Sequence, residues 1–82
     1  MINKTQLSFK LFSTTHCHLC ELAISLLKEQ GIFEQTSIIE IAEALILLEQ
    51  YGTRIPVLQR LDNLAELSWP FSKRELDVFV SK

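Results

Sequence analysis

The chain has 82 residues, 48% of them hydrophobic, with only two glycines and two prolines; it is one domain in length, too apolar for disorder and too poor in breakers for low complexity. Ten acidic against eight basic residues leave a net charge of -2, which excludes the basic footprint of a nucleic-acid binder or of a protein held on an anionic membrane. The longest apolar run, Ala44 to Leu48, is far short of the roughly 20 residues of a membrane span, and "MINKTQLSFKLF" lacks a signal-peptide core, so the sequence predicts a cytoplasmic protein, taken as a monomer.

Leu7, Phe9 and Leu11 alternate with Gln6, Ser8 and Lys10, a period of two that predicts a strand ending near Ser13. From Leu19, the apolar residues Leu22, Ala23, Leu26 and Leu27 recur at helical spacing, and Gly31 is a natural stop. "TSIIEI", residues 36 to 41, is short and β-branched, and predicts a second strand packed on both faces. The helix formers of "AEALILLEQYG" predict a helix over about Ala42 to Tyr51, apolar around much of its circumference and closed by Gly52. Asp62 and Asn63 offer a turn between Val57–Leu61 and Leu64–Trp69, which read as an antiparallel hairpin. After Pro70, Ser72 and Glu75 form a Ser-x-x-Glu capping box ahead of Leu76, Phe79 and Val80, predicting a last helix. The order β-α-β-α-β-β-α implies one α/β domain spanning the chain, a four-stranded mixed sheet covered by helices.

The chemistry concentrates in "STTHCHLCELAISLL", where Cys17 and Cys20 stand three apart as the first helix opens. A disulfide closing about four residues restricts the unfolded chain by only roughly 2 kcal/mol on the loop-entropy model, so the spacing suits chemistry better than stapling. Residues three apart share one face of a helix and come within disulfide reach. An ordinary cysteine with a pKa of about 8.5 is only about 3% thiolate at pH 7. At a helix N-terminus, unpaired N–H groups and the helix dipole bring CxxC thiols down to roughly 3.5 to 7.5. Cys17 is placed to benefit and is the candidate nucleophile; Cys20, deeper in the helix, is the candidate resolving thiol. His16 and His18, when protonated, would favour the Cys17 thiolate, and Glu21 would oppose it. The same His16–Cys20 segment offers nitrogen and sulfur ligands, so a non-enzymatic module holding a metal ion or a protein partner stays open as the alternative.

A CxxC beside a βαβ pattern reads as a thioredoxin-like redox motif. With "CHLC" after a strand and, within "TRIPVL", a proline thirty-six residues beyond Cys20, nearly the whole chain resembles the glutaredoxin branch of the thioredoxin superfamily, particularly its small glutaredoxin-like members. That resemblance implies a thioredoxin-like fold and thiol–disulfide exchange on a disulfide-containing protein or glutathione, with a separate thiol reductant and no resident cofactor. It implies a cis peptide bond at Pro56, with the Ile55 backbone pairing to an extended substrate and Arg54 offering charge to the same groove. The chain departs from the family in having no Gly-Gly turn after that proline to hold the γ-glutamyl end of glutathione. Ser72 and the free N–H groups of the last helix are the remaining candidates for a ligand carboxylate.

Overall fold

In the computed structural model, which describes residues 7–81, the alternation around Phe9 becomes strand β1, Phe9–Ser13. The part of the leader-free reading that rests on residues 1–6 lies outside the described residues. Strand β1 takes an inner place in a four-stranded sheet of order β2-β1-β3-β4, where β2 is Thr36–Glu40, β3 is Val57–Arg60 and β4 is Glu66–Ser68. It pairs parallel with β2, Leu11 opposite Ile38, and antiparallel with β3, Leu11 opposite Leu58; β3 and β4 form the predicted hairpin.

Neighbouring residues of a strand point to opposite faces, and β1 uses both. Phe9 and Leu11 pack with Ala23 and Leu27 of helix α1, His18–Gln30, and with Leu76 of helix α3, Lys73–Ser81. On the other face Phe12 and Val57 pack with Ile41 and with Tyr51 of helix α2, Leu45–Tyr51. Gly31 ends α1 in the left-handed region at φ 80°, its N–H and that of Ile32 bonding back to Lys28 and Leu27, the arrangement that makes glycine the favoured stop. The capping box forms in both directions: Ser72 Oγ accepts from the Glu75 N–H at 3.1 Å, and Glu75 Oε1 from the Ser72 N–H at 2.8 Å. No helix among the described residues is long and apolar enough to cross a membrane.

Three expectations are corrected. Strand β2 is not packed on both faces, because it occupies a sheet edge; Ile38 shares its register with buried Leu11 yet is 45% exposed at the rim. The second helix does not run from Ala42. Glu40 accepts from the Ala42 N–H at 2.9 Å and caps a 3-10 turn over Ile41–Glu43, Ala44 then returns to an extended conformation, and α2 starts only at Leu45. The hairpin strands are shorter than expected. Leu64 sits in the left-handed region at φ 62°, and Asn63 Oδ1 accepts from the Ala65 N–H at 2.9 Å, so the connection consumes residues at both strand ends.

Candidate active site

Strand β1 delivers the chain to the turn before α1, and Cys17 is the N-cap of that helix. Its backbone is extended (φ -109°, ψ 105°), its carbonyl accepts the Glu21 N–H at 3.1 Å, and its Sγ accepts the Cys20 N–H at 3.2 Å. Sulfur thus fills the place where serine or aspartate oxygen usually satisfies an orphan N–H. Cys17 is half-buried, whereas Cys20, one turn in, is 2% exposed. The two are joined as a disulfide, Cα atoms 5.2 Å apart, within the span such a bond requires. His16 precedes them in the left-handed region at φ 57°, uncommon for a residue with a Cβ, at a cost of about 1–3 kcal/mol that the surrounding structure offsets.

A cleft of about 290 Å³ opens beside the sulfurs, lined by residues of the turn, by Cys17, Cys20, Glu21 and Ile24, and by Ile38 and Glu40 of β2. His16 lines it too; His18, the first residue of α1, is exposed and does not. Glu40 is a residue that sequence reasoning did not single out. Its carboxylate accepts from Thr14 Oγ1 at 2.7 Å, the Thr15 N–H at 3.0 Å and the Ala42 N–H at 2.9 Å. The Thr14 hydroxyl, followed by the Ala42 N–H, holds it below the ordinary carboxylate range, against a smaller opposing effect of burial. The only trace in the sequence was an acid closing a β-branched strand.

The Ile55–Pro56 peptide bond is cis, as is Trp69–Pro70. Because Val57 pairs with Phe12, Pro56 lies at the end of the sheet from which the cysteine turn departs. Pro56 is buried and Ile55 half-buried, and neither lines the cleft beside the sulfurs. The Ile55 N–H donates to the Tyr51 carbonyl at 3.0 Å, and the Pro56 carbonyl accepts from the Trp69 N–H at 2.9 Å. The Ile55 N–H is therefore already paired within the chain.

Arg54 is engaged within the chain. Its Nη2 lies 2.7 Å from Glu66 Oε1 and 3.1 Å from Ser68 Oγ, and its guanidinium stacks 5.3 Å from the centre of the Tyr51 ring. Glu66 also accepts from the Tyr51 hydroxyl at 2.6 Å and from Gln59 Nε2 at 3.3 Å. These bonds, the tyrosine's first and the arginine's next, lower the Glu66 pKa. Burial, then the bond to Glu66, raises that of Tyr51. Among the described residues no three His, Cys, Asp or Glu side chains converge as a metal cluster requires.

A mixed four-stranded sheet with three helices and a CxxC pair opening the first helix defines a thioredoxin-fold protein of redox type. The chain belongs to the family described as Glutaredoxin-like domain (DUF836), whose model matches residues 9–81. It is similar to protein XcR50 from X. campestris, whose X-ray structure superposes with a TM-score of 0.81 at 30% identity over 90% of this chain and 96% of that one. The solution structure of XcR50 gives a TM-score of 0.78 at 30% identity, covering 92% of this chain and 94% of that one. Protein Ne2328 from Nitrosomonas europaea shares the fold, with a TM-score of 0.75 at 23% identity over 96% of this chain and 98% of that one. No curated protein matches the chain.

Proposed function

We propose that the protein is a thiol–disulfide oxidoreductase acting by dithiol exchange, with protein disulfides as its first substrates and glutathione disulfide as the second possibility. The observation that carries this reading is the asymmetry of the two sulfurs: a half-buried Cys17 capping a helix and a buried Cys20 bonded to it. The Cys17 thiolate attacks one sulfur of a substrate disulfide; the substrate S–S bond breaks, and the departing thiolate takes up a proton. Cys20 then gives up its proton and attacks Cys17 Sγ, closing the internal disulfide and expelling the second substrate thiolate. Two electrons pass from the dithiol to the substrate, and a separate thiol reductant restores the pair. The Ile55 carbonyl offers the strand-like contact for the substrate segment.

Protein substrates are preferred on the state of the alternative anion sites. The capping box takes up the Ser72 and Glu75 N–H groups at the start of α3, and the Arg54 guanidinium is held by Glu66. The test is reduction of a protein disulfide in the presence of a thiol reductant. Cys17→Ser is expected to abolish it, and Cys20→Ser to accumulate a mixed disulfide on Cys17 detectable by mass. A parent protein that reduces no disulfide, with a partner bound equally by the parent and by Cys17→Ser, returns the reading to a non-enzymatic binding module.

A further inference from the structure

We propose that Glu40 is a positioning residue for Cys17, its carboxylate clamping the turn before α1 so that the sulfur stays at the helix N-cap. The inference rests on the oxidoreductase reading and deepens it. Its basis is a register: Glu40 is the last residue of β2 and pairs with Ser13, the last residue of β1. That pairing sets the carboxylate beside Thr14 and Thr15, 26 and 25 positions away in the chain, and both donate to it. The third donor, the Ala42 N–H, fixes the carboxylate from its own side of the sheet. The next residue, His16, holds a left-handed conformation, one that the surrounding structure has to over-determine. Helix α1 fixes one flank; the Glu40 clamp fixes the other. Released, His16 relaxes, Cys17 leaves its extended N-cap geometry, and its sulfur loses the Cys20 N–H and the positive end of the helix.

The sign of a measurable shift separates this role from a simple charge effect. The ionisable groups around the cleft are His16 on the turn, Glu21 on α1 and Glu40 on β2, with His18 beside Cys17 in the chain; Arg54, ahead of β3, is turned to Glu66. As a bare negative charge Glu40 would disfavour the thiolate, so its removal would lower the Cys17 pKa. As a clamp it favours the thiolate, so its removal raises that pKa.

The experiment follows the rate of Cys17 alkylation by iodoacetamide against pH, in Cys20→Ser protein so that one thiol reports. Glu40→Gln and Glu40→Asp are both expected to move the midpoint upward by about half to one pH unit, which is roughly 3- to 10-fold slower alkylation below it. Thr14→Val, which removes one arm of the clamp and leaves the Ala42 cap intact, is expected to move it the same way by less, and covers the case of a Glu40 variant that does not fold. A downward shift in Glu40→Gln with none in Glu40→Asp overturns the clamp in favour of charge, and unchanged midpoints overturn it outright. A parent protein whose Cys17 titrates as an ordinary thiol, near about 8.5, sinks the oxidoreductase reading and the clamp with it.

Discussion

Tyr51 acts through both ends of its side chain. Its ring stacks on Phe12 with centroids 4.0 Å apart and planes 11° from parallel, while its hydroxyl reaches Glu66. Tyr51→Phe keeps the stack and removes one hydrogen bond to a carboxylate that retains Arg54 and Gln59; the expected loss is about 1 kcal/mol, read as a lower urea midpoint at unchanged slope. Burial of Tyr51, together with its contact to Glu66, makes stability depend on pH at both extremes. The Glu66 pKa is lowered in the folded chain, so its contribution is complete above the ordinary carboxylate value of about 4.3 and disappears as pH falls through the folded value. The Tyr51 pKa is raised, so its contribution is complete below about 10 and disappears as pH rises through the folded value. Glu66→Gln is expected to flatten the acid limb of a stability profile measured by urea unfolding; an acid limb of unchanged steepness would assign that loss to other carboxylates. None of this network was legible in the sequence, because Arg54 and Tyr51 stand 12 and 15 positions from Glu66 and meet it only once the sheet has formed.

Local patterns decided which elements could be read in advance. Strand β1, helix α1 with its Gly31 stop and helix α3 were legible because each carries its period and its boundary signal in consecutive residues. The cysteine pair was legible for the same reason: its spacing and its place at a helix start are properties of one short stretch. Strand β2 was misjudged because a β-branched run reads alike in a central and an edge strand, and only the sheet order distinguishes them. Helix α2 was drawn too long because its composition favours helix throughout, while its start is set by the Glu40 side chain and by burial of Ile41. Glu40 was missed as part of the site because its two partners in the turn lie 25 and 26 positions away. The capping box of α3 is the element-scale device most open to test. A nine-residue helix is marginal by propensity alone, so Ser72→Ala, which leaves the Glu75 N–H without its side-chain acceptor, is expected to cost about 1 kcal/mol. Faster amide exchange confined to the first turn of α3 would locate the loss there; exchange spread evenly over the protein would not.

The stability of the whole molecule rests on a core divided by its own sheet. Domains of this kind retain only about 0.05–0.15 kcal/mol per residue, so the margin over 82 residues is of order 4–12 kcal/mol. Leu11 occupies the strand on which both halves of the sheet depend: its own face packs against α1 and α3, its neighbour Phe12 packs beneath α2, and its ladder partners belong to β2 and β3. It is 0% exposed, and truncating a buried leucine costs about 2–5 kcal/mol, the upper end where surrounding elements cannot collapse into the gap. Pairing on both sides of β1 opposes such a collapse. Leu11→Ala is therefore expected to remove about a third or more of the margin, read as a fall in urea midpoint without a change of slope. Ile46→Ala, at a position 68% exposed, is expected to stay within about 0.5 kcal/mol of the parent. Similar losses at the two positions would mean that the outer side of α2 is covered in solution, and with a loss at Ile46 that grows with protein concentration the cover would be a second copy of the chain.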